Sequence, residues 1–246
     1  MLGQETAVDG LAGCVRQVYR TCRSWHWLPR RLALSAFAII LSFGVATAAQ
    51  VERIDFGKGW TEQRFSLFSS NSFDPRGASL EIESNGTVSL LWKRLLPRFW
   101  QTSKASWCWQ VRQGVPATDL TRKGGDDRNL ALYFIFLPKQ AAEAAGNAGI
   151  SALLDAAGAR VLMYVWGGDH PVGAILSTPY LGERGRTVVR RGIGTGIADE
   201  AIDLANDYRA AFGEPPESLV GLAVSADSDD TGTRIVASIG NLILRR

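Results

Sequence analysis

The sequence predicts an all-β domain, a β-sandwich of jelly-roll type with one or two peripheral helices, preceded by an N-terminal leader helix. Three observations carry this prediction: many short β-compatible runs punctuated by Gly, Asn, Asp and Pro, a clean two-residue alternation at 105–111, and just two stretches of helical character. No low-complexity linker and no internal repeat interrupts residues 49–246, which therefore read as one domain.

The leader comes first. Arg30 and Arg31 precede an uncharged run over 32–51 whose apolar part is 32–45, and Ala46-Thr47-Ala48 supplies the small-x-small pattern of a signal-peptidase site. Residues 1–48 are thus expected to be an export leader cleaved after Ala48, which places the domain in the periplasm or outside the cell. Two alternatives stand beside this: an uncleaved inner-membrane anchor over 32–49, and a twin-arginine signal. The formal charge of +3 resides in the leader, where five Arg face Glu5 and Asp9. From Ala49 on the charges cancel, so the domain has no electrostatic call on nucleic acid, and a membrane concerns it only through an uncleaved leader. Cys14 and Cys22 also fall in the leader; Cys108, the remaining cysteine, is expected to be buried.

The strands follow in order. Residues 78–84 and 87–92 flank Asn85-Gly86, the dipeptide of a tight type I′ hairpin. In 105–111, Trp107, Trp109 and Val111 face one way and Ser106, Cys108 and Gln110 the other. The apolar run 130–137 suits a strand buried on both faces. Further strands are expected at 160–166, 187–190, 219–226 and 234–244, the last two as a closing hairpin. The Ala-rich stretch 140–157 reads as a helical insertion between strands. Residues 199–212 read as a second helix, with Ala201, Leu204, Ala205, Tyr208 and Phe212 on one stripe and Gly213 and Pro215-Pro216 as its stop.

Trp107-Cys108-Trp109, Gly125-Asp126-Asp127, Asp207-Tyr208-Arg209 with Phe212-Gly213, and Asp227-Ser228-Asp229-Asp230-Thr231 occur in a succession that resembles the bacterial exported family DUF3047, a domain of unknown function. The resemblance spans roughly residues 56–244. It implies export and a lectin-like sandwich, and implies no activity. Position 108 departs from it, since Arg is expected there in relatives.

Three groups of residues could carry chemistry. Asp227, Asp229 and Asp230 lie between two strands, and Asp126 and Asp127 precede another; carboxylates spaced one and two apart can converge on Ca²⁺, or serve simply as turn residues. Glu81 and Glu83 share one strand face, ~6.6 Å apart by strand rise, a separation within the range of glycosidase acid and base pairs, though an exposed strand face shows the same pattern. Trp107 and Trp109 could form a sugar-stacking platform or belong to the core, and Trp100, beside Pro97-Arg98-Phe99, is a third candidate ligand contact. His170, the only histidine after the leader, lies in a Gly-Gly-Asp-His-Pro turn with no Gly-x-Ser-x-Gly elbow elsewhere, and several-histidine zinc is excluded. Gly192-Ile193-Gly194-Thr195-Gly196 sits where a dinucleotide loop would but lacks its third glycine. The Arg-rich run 184–191 reads as a solvated edge strand. Together these features favour a non-catalytic envelope binding module with a glycan-type ligand. The alternatives are an envelope glycoside hydrolase using Glu81 and Glu83, and a structural protein that pairs with a partner by a sheet edge.

Overall fold

The computed structural model describes residues 51–246; the expected leader, its cleavage site and the anchor alternative at 32–49 lie outside the described residues. Two sheets form a sandwich. One has the strand order β11 (Gly196–Asp203), β6 (Lys104–Gln113), β13 (Arg234–Arg245), β4 (Ser79–Asn85), β3 (Ser72–Arg76), with the short β1 (Val51–Arg53) on the far end of β13. The other runs β2 (Thr61–Arg64), β5 (Val88–Arg94), β12 (Ser218–Asp227), β7 (Arg128–Leu137), β8 (Arg160–Trp166), β10 (Gly182–Arg191), β9 (Ile175–Thr178). Among the described strands, pairing is antiparallel except between β8 and β10.

The alternation in β6 places Trp107, Trp109 and Val111 against Leu132, Phe134, Leu162 and Tyr164 of the facing sheet. Trp107 and Trp109 are 2% and 0% exposed. Their rings meet edge to face at 5.4 Å, and Trp107 contacts the Tyr164 ring at 5.6 Å. Cys108 is buried, as expected. Strand β7 is buried on both faces because a second apolar layer covers its outer side. There Leu90, Ile135, Val161 and Ala223 meet Ala142, Ile150 and Leu153 from two short helices, α1 (Lys139–Ala144) and α2 (Ile150–Asp155). The Ala-rich insertion between strands is therefore real but broken in two.

Four expectations are corrected. Asn85-Gly86 does not close a hairpin: β4 and β5 lie in different sheets, and only Gly86 has a positive φ (61°) where a type I′ turn needs two. Likewise β12 and β13 do not pair; residues 228–233 cross from one sheet to the other. The two crossings are bonded to each other, Gly86 N donating to Thr233 O at 3.0 Å and Ser84 Oγ meeting Ser228 Oγ at 2.7 Å, which satisfies buried groups that no ladder reaches. Residues 199–203 are not helical. They continue β11, where Glu200 pairs with Trp107 and Ile202 with Ala105 on β6. The helix, α3 (Leu204–Phe212), starts when Asp203 Oδ1 accepts from Asn206 N at 3.0 Å and ends at Gly213 (φ 80°). Its Leu204 and Tyr208 are buried and Phe212 half-buried, so that part of the expected stripe packs on the sandwich. Finally, β10 is not an edge strand: β8 and β9 flank it, and Thr187, Val188 and Val189 are buried. The glycine-rich 192–196 consequently joins two strands, which removes the dinucleotide-loop context.

Candidate functional site

Strand alternation that sends Leu132, Phe134 and Leu162 inward sends Tyr133, Ile135, Val161 and Met163 to the opposite face of the seven-stranded sheet. There they floor a cavity of about 420 Å³, within the size range of small-molecule sites. Leu90 and Ala223 complete the floor. Ile150 and Leu154 of α2 close one side, the 178–181 connection another, and Phe65, just after β2, forms part of the rim.

One end of the cavity is polar. Arg128, at the start of β7, donates through Nη1 to Asp126 Oδ2 at 3.0 Å and to the Asp126 carbonyl at 2.8 Å, and lies 3.1 Å from Asp227 Oδ2. Its Nη2 donates to the Tyr133 hydroxyl at 2.9 Å, which in turn meets Ser225 Oγ at 2.9 Å. Burial works to lower the Arg128 pKa, but Tyr133, Asp227 and Asp126 outweigh it and hold the guanidinium above its ordinary value. Burial pushes Asp227 up to about 8 despite the attraction of Arg128, and a hydrogen bond and repulsion from Asp229 add to the rise. Burial also raises Asp126. One cation thus serves two carboxylates, and the proton on Asp227 relieves the excess negative charge.

The five aspartates expected to share a cation divide into two groups. Asp126 and Asp227 turn to Arg128. Asp127, Asp229 and Asp230 bring one oxygen each within 4.8 Å of one another. Asp127 is buried and accepts from Thr231 N at 2.7 Å and Asp230 N at 3.3 Å, so it pins the 228–233 crossing. Three carboxylates are about half the oxygen set that Ca²⁺ takes.

The remaining candidates lie elsewhere. Glu81 and Glu83 sit on the outer face of the six-stranded sheet, away from the cavity. Each is paired with an arginine, Glu81 with Arg112 at 2.5 Å and Glu83 with Arg234 at 2.8 Å. Burial of Trp107 and Trp109 corrects the platform: between the sheets neither offers a face to a ligand. Trp100 is half-buried after a 3₁₀ turn (Pro97–Phe99) and packs on the apolar layer beneath the helices. A second groove of about 420 Å³ holds Trp60 and Phe73 with Glu62, Arg64 and Asn71, but the Trp60 ring stacks on Phe56 at 5.1 Å and lies under Lys93. His170 lies 3.4 Å from Asp119 and 3.1 Å from Asp169 in its turn.

Arg128, Tyr133 and Ser225 are the site residues that sequence reasoning missed. A signal was present: 130–137 and 160–166 are apolar on both faces, and in a sandwich an apolar outer face must be covered by something.

Among solved structures, the fold is similar to the xyloglucanase domain of NopAA, a type three effector from Sinorhizobium fredii in complex with cellobiose (9% identity, 76% of this chain and 94% of that one, TM-score 0.43). It is also similar to the family 11 xylanase of Neocallimastix patriciarum (10% identity, 80% and 100% covered, TM-score 0.36) and to a loop-swap mutant of Xyn11A from the same organism (12% identity, 82% and 97%, TM-score 0.36). No curated protein matches the chain. The sequence profile of the proteins of unknown function DUF3047 matches residues 57–243, nearly the whole sandwich, and the chain belongs to that family.

Proposed function

We propose that this protein is an exported, non-catalytic binding module that holds a glycan-type ligand in the cavity over the seven-stranded sheet. The observation that carries the reading is the polar end of that cavity, where Arg128, Asp126, Tyr133 and Ser225 gather donors and acceptors in one place beside aromatic rings. Sugar hydroxyls both donate and accept, so they can satisfy a buried array of this kind where an apolar molecule would leave it unpaired. Export rests on the leader at 1–48. A glycan array probed with the domain from Ala49 onward, with and without calcium, tests the reading. Retained glycans that are lost on Leu154→Trp, which fills the cavity from α2, support it; a parent protein that retains none overturns the glycan class.

A second reading is favoured by one observation, the Asp227 carboxyl pushed up to about 8 beside Asp229. A carboxylic acid that keeps its proton at neutral pH is suited to general-acid catalysis, the role that one carboxyl of a glycoside hydrolase plays. Turnover of chromogenic glycosides by the parent and its loss in Asp227→Asn would establish an enzyme; absence of turnover leaves the binding module.

A further inference from the structure

The charged groups of the cavity lie at one end, while in the far wall, beside Gly185 and so opposite Val161, Thr178 Oγ1 is buried without a hydrogen-bond partner. Strand register fixes this: Arg128 lies opposite Asp227 on β12, while further along β7 Tyr133 lies opposite Ala223 and Met163, and Ile135 opposite Val161. From Arg128 to Ile135 is seven residues, roughly 23 Å by strand rise. From Tyr133 on the lining is Ala223, Met163, Ile135 and Val161 below, with Ile150, Leu154 and Thr178 beside them. A free saccharide carries a hydroxyl on nearly every carbon. Laid along this cavity it would strip water from many hydroxyls, while at the far end Thr178 Oγ1 could partner one or two of them. An aliphatic chain loses nothing there and gains with each methylene removed from water. The rim has the same character. Phe65 is in the wall, and Leu67 and Phe68 of the same loop are 91% and 97% exposed, an apolar approach of the kind that marks binding surfaces.

We propose that the ligand is an amphiphile with a single aliphatic chain and a hydroxyl-bearing head, the head at the Arg128–Ser225 end and the chain along Met163, Val161 and Ile135 beside α2. The proposal rests on the reading of this cavity as the ligand site and names the class of ligand.

The test is a titration of the domain with maltose, octyl maltoside and dodecyl maltoside, each alkyl glycoside below its critical micelle concentration, and with laurate. The expected result is no binding of millimolar maltose, and dodecyl maltoside tighter than octyl by on the order of a hundredfold for four methylenes. Laurate, which has the chain without the hydroxyls, should bind at least tenfold more weakly than dodecyl maltoside. Leu154→Trp should remove the chain-length dependence. Leu181→Trp, at a half-buried wall position, is the companion variant should the first fail to fold. Equal affinity for octyl and dodecyl maltoside overturns the chain, and equal affinity for laurate overturns the hydroxyl head. Array glycans lost on Leu154→Trp without any chain-length dependence would sink this inference and leave the binding module standing. A silent array with chain-length-dependent binding of the alkyl glycosides would overturn the free-glycan class and support this inference, and a silent array with no alkyl glycoside bound would sink both.

Discussion

Asp227 gives the sharpest account of what this site does to stability. Its carboxyl titrates near 8 in the folded protein against 3.8 as the ordinary value. The folded chain therefore keeps a proton that the unfolded chain surrenders. Stability associated with that proton is fully present below pH 3.8 and is lost as pH rises through the window up to about 8. At ~1.36 kcal/mol per pH unit, the gap is worth on the order of 5 kcal/mol at most, a large share of a domain's usual 5–15 kcal/mol margin. Asp227→Asn mimics the protonated form, leaves Arg128 its bond to Asp126, and removes the group that titrates. Urea denaturation at pH 5, 7 and 9 is the assay. The parent should lose stability across that range. The variant should stay flatter and exceed the parent at pH 9 by about 2 kcal/mol or more, with an unchanged denaturant slope. A variant less stable than the parent at pH 9 would refute the reasoning. It would mean that attraction to Arg128 outweighs burial and that Asp227 is an ordinary ionised partner.

Three further predictions follow from the fold and the leader. Leu204→Asp places a carboxylate with no partner under α3, where Leu204 is fully buried, and should cost at least about 4 kcal/mol; an unchanged melting temperature would remove the packing claim. Glu200 is 4% exposed and accepts from Arg190 at 2.7 and 2.9 Å and from Arg191 at 2.8 Å. Glu200→Ala should cost about 2 kcal/mol in urea denaturation, less than the 3–5 typical of a wholly buried pair because both guanidiniums reach solvent; a cost within a few tenths would mean the arginines find other partners. Mass spectrometry of the periplasmic fraction should find a chain beginning at Ala49, whereas an intact N-terminus in the membrane pellet would show an anchor.

Local pattern in the sequence located most strands and one end of the site. Alternation at 105–111 and the apolar runs at 130–137 and 160–166 are properties of single strands, and the structure reproduces them as β6, β7 and β8. Which strands pair is not a local property. Asn85-Gly86 is good turn chemistry whether the chain returns to the same sheet or crosses to the other, and 228–233 repeats the ambiguity. The helix start expected at 199 failed for a related reason. Asp199, Glu200 and Asp203 suit a helix N-terminus, but pairing with β6 and the arginines of β10, distant partners, turns 199–203 into strand. The site divides in the same way. Asp126, Asp127, Asp227, Asp229 and Asp230 were legible as a cluster, but the split between Arg128 and the 228–233 crossing depends on side-chain direction at the ends of β7 and β12. Trp107 and Trp109 share a face in either reading; only the second sheet decides that this face is the core.

The placement of β12 and β13 also constrains the order in which the chain can be built. Each lies at the centre of its own sheet, β12 between β5 and β7 and β13 between β6 and β4, yet both follow all the other described strands in chain order. Without them β2 and β5 have no link to β7, and β11 and β6 none to β4 and β3, so the half-sheets depend on late, non-local pairings to close. A nonsense mutation anywhere before β12 would leave a product with neither sheet assembled.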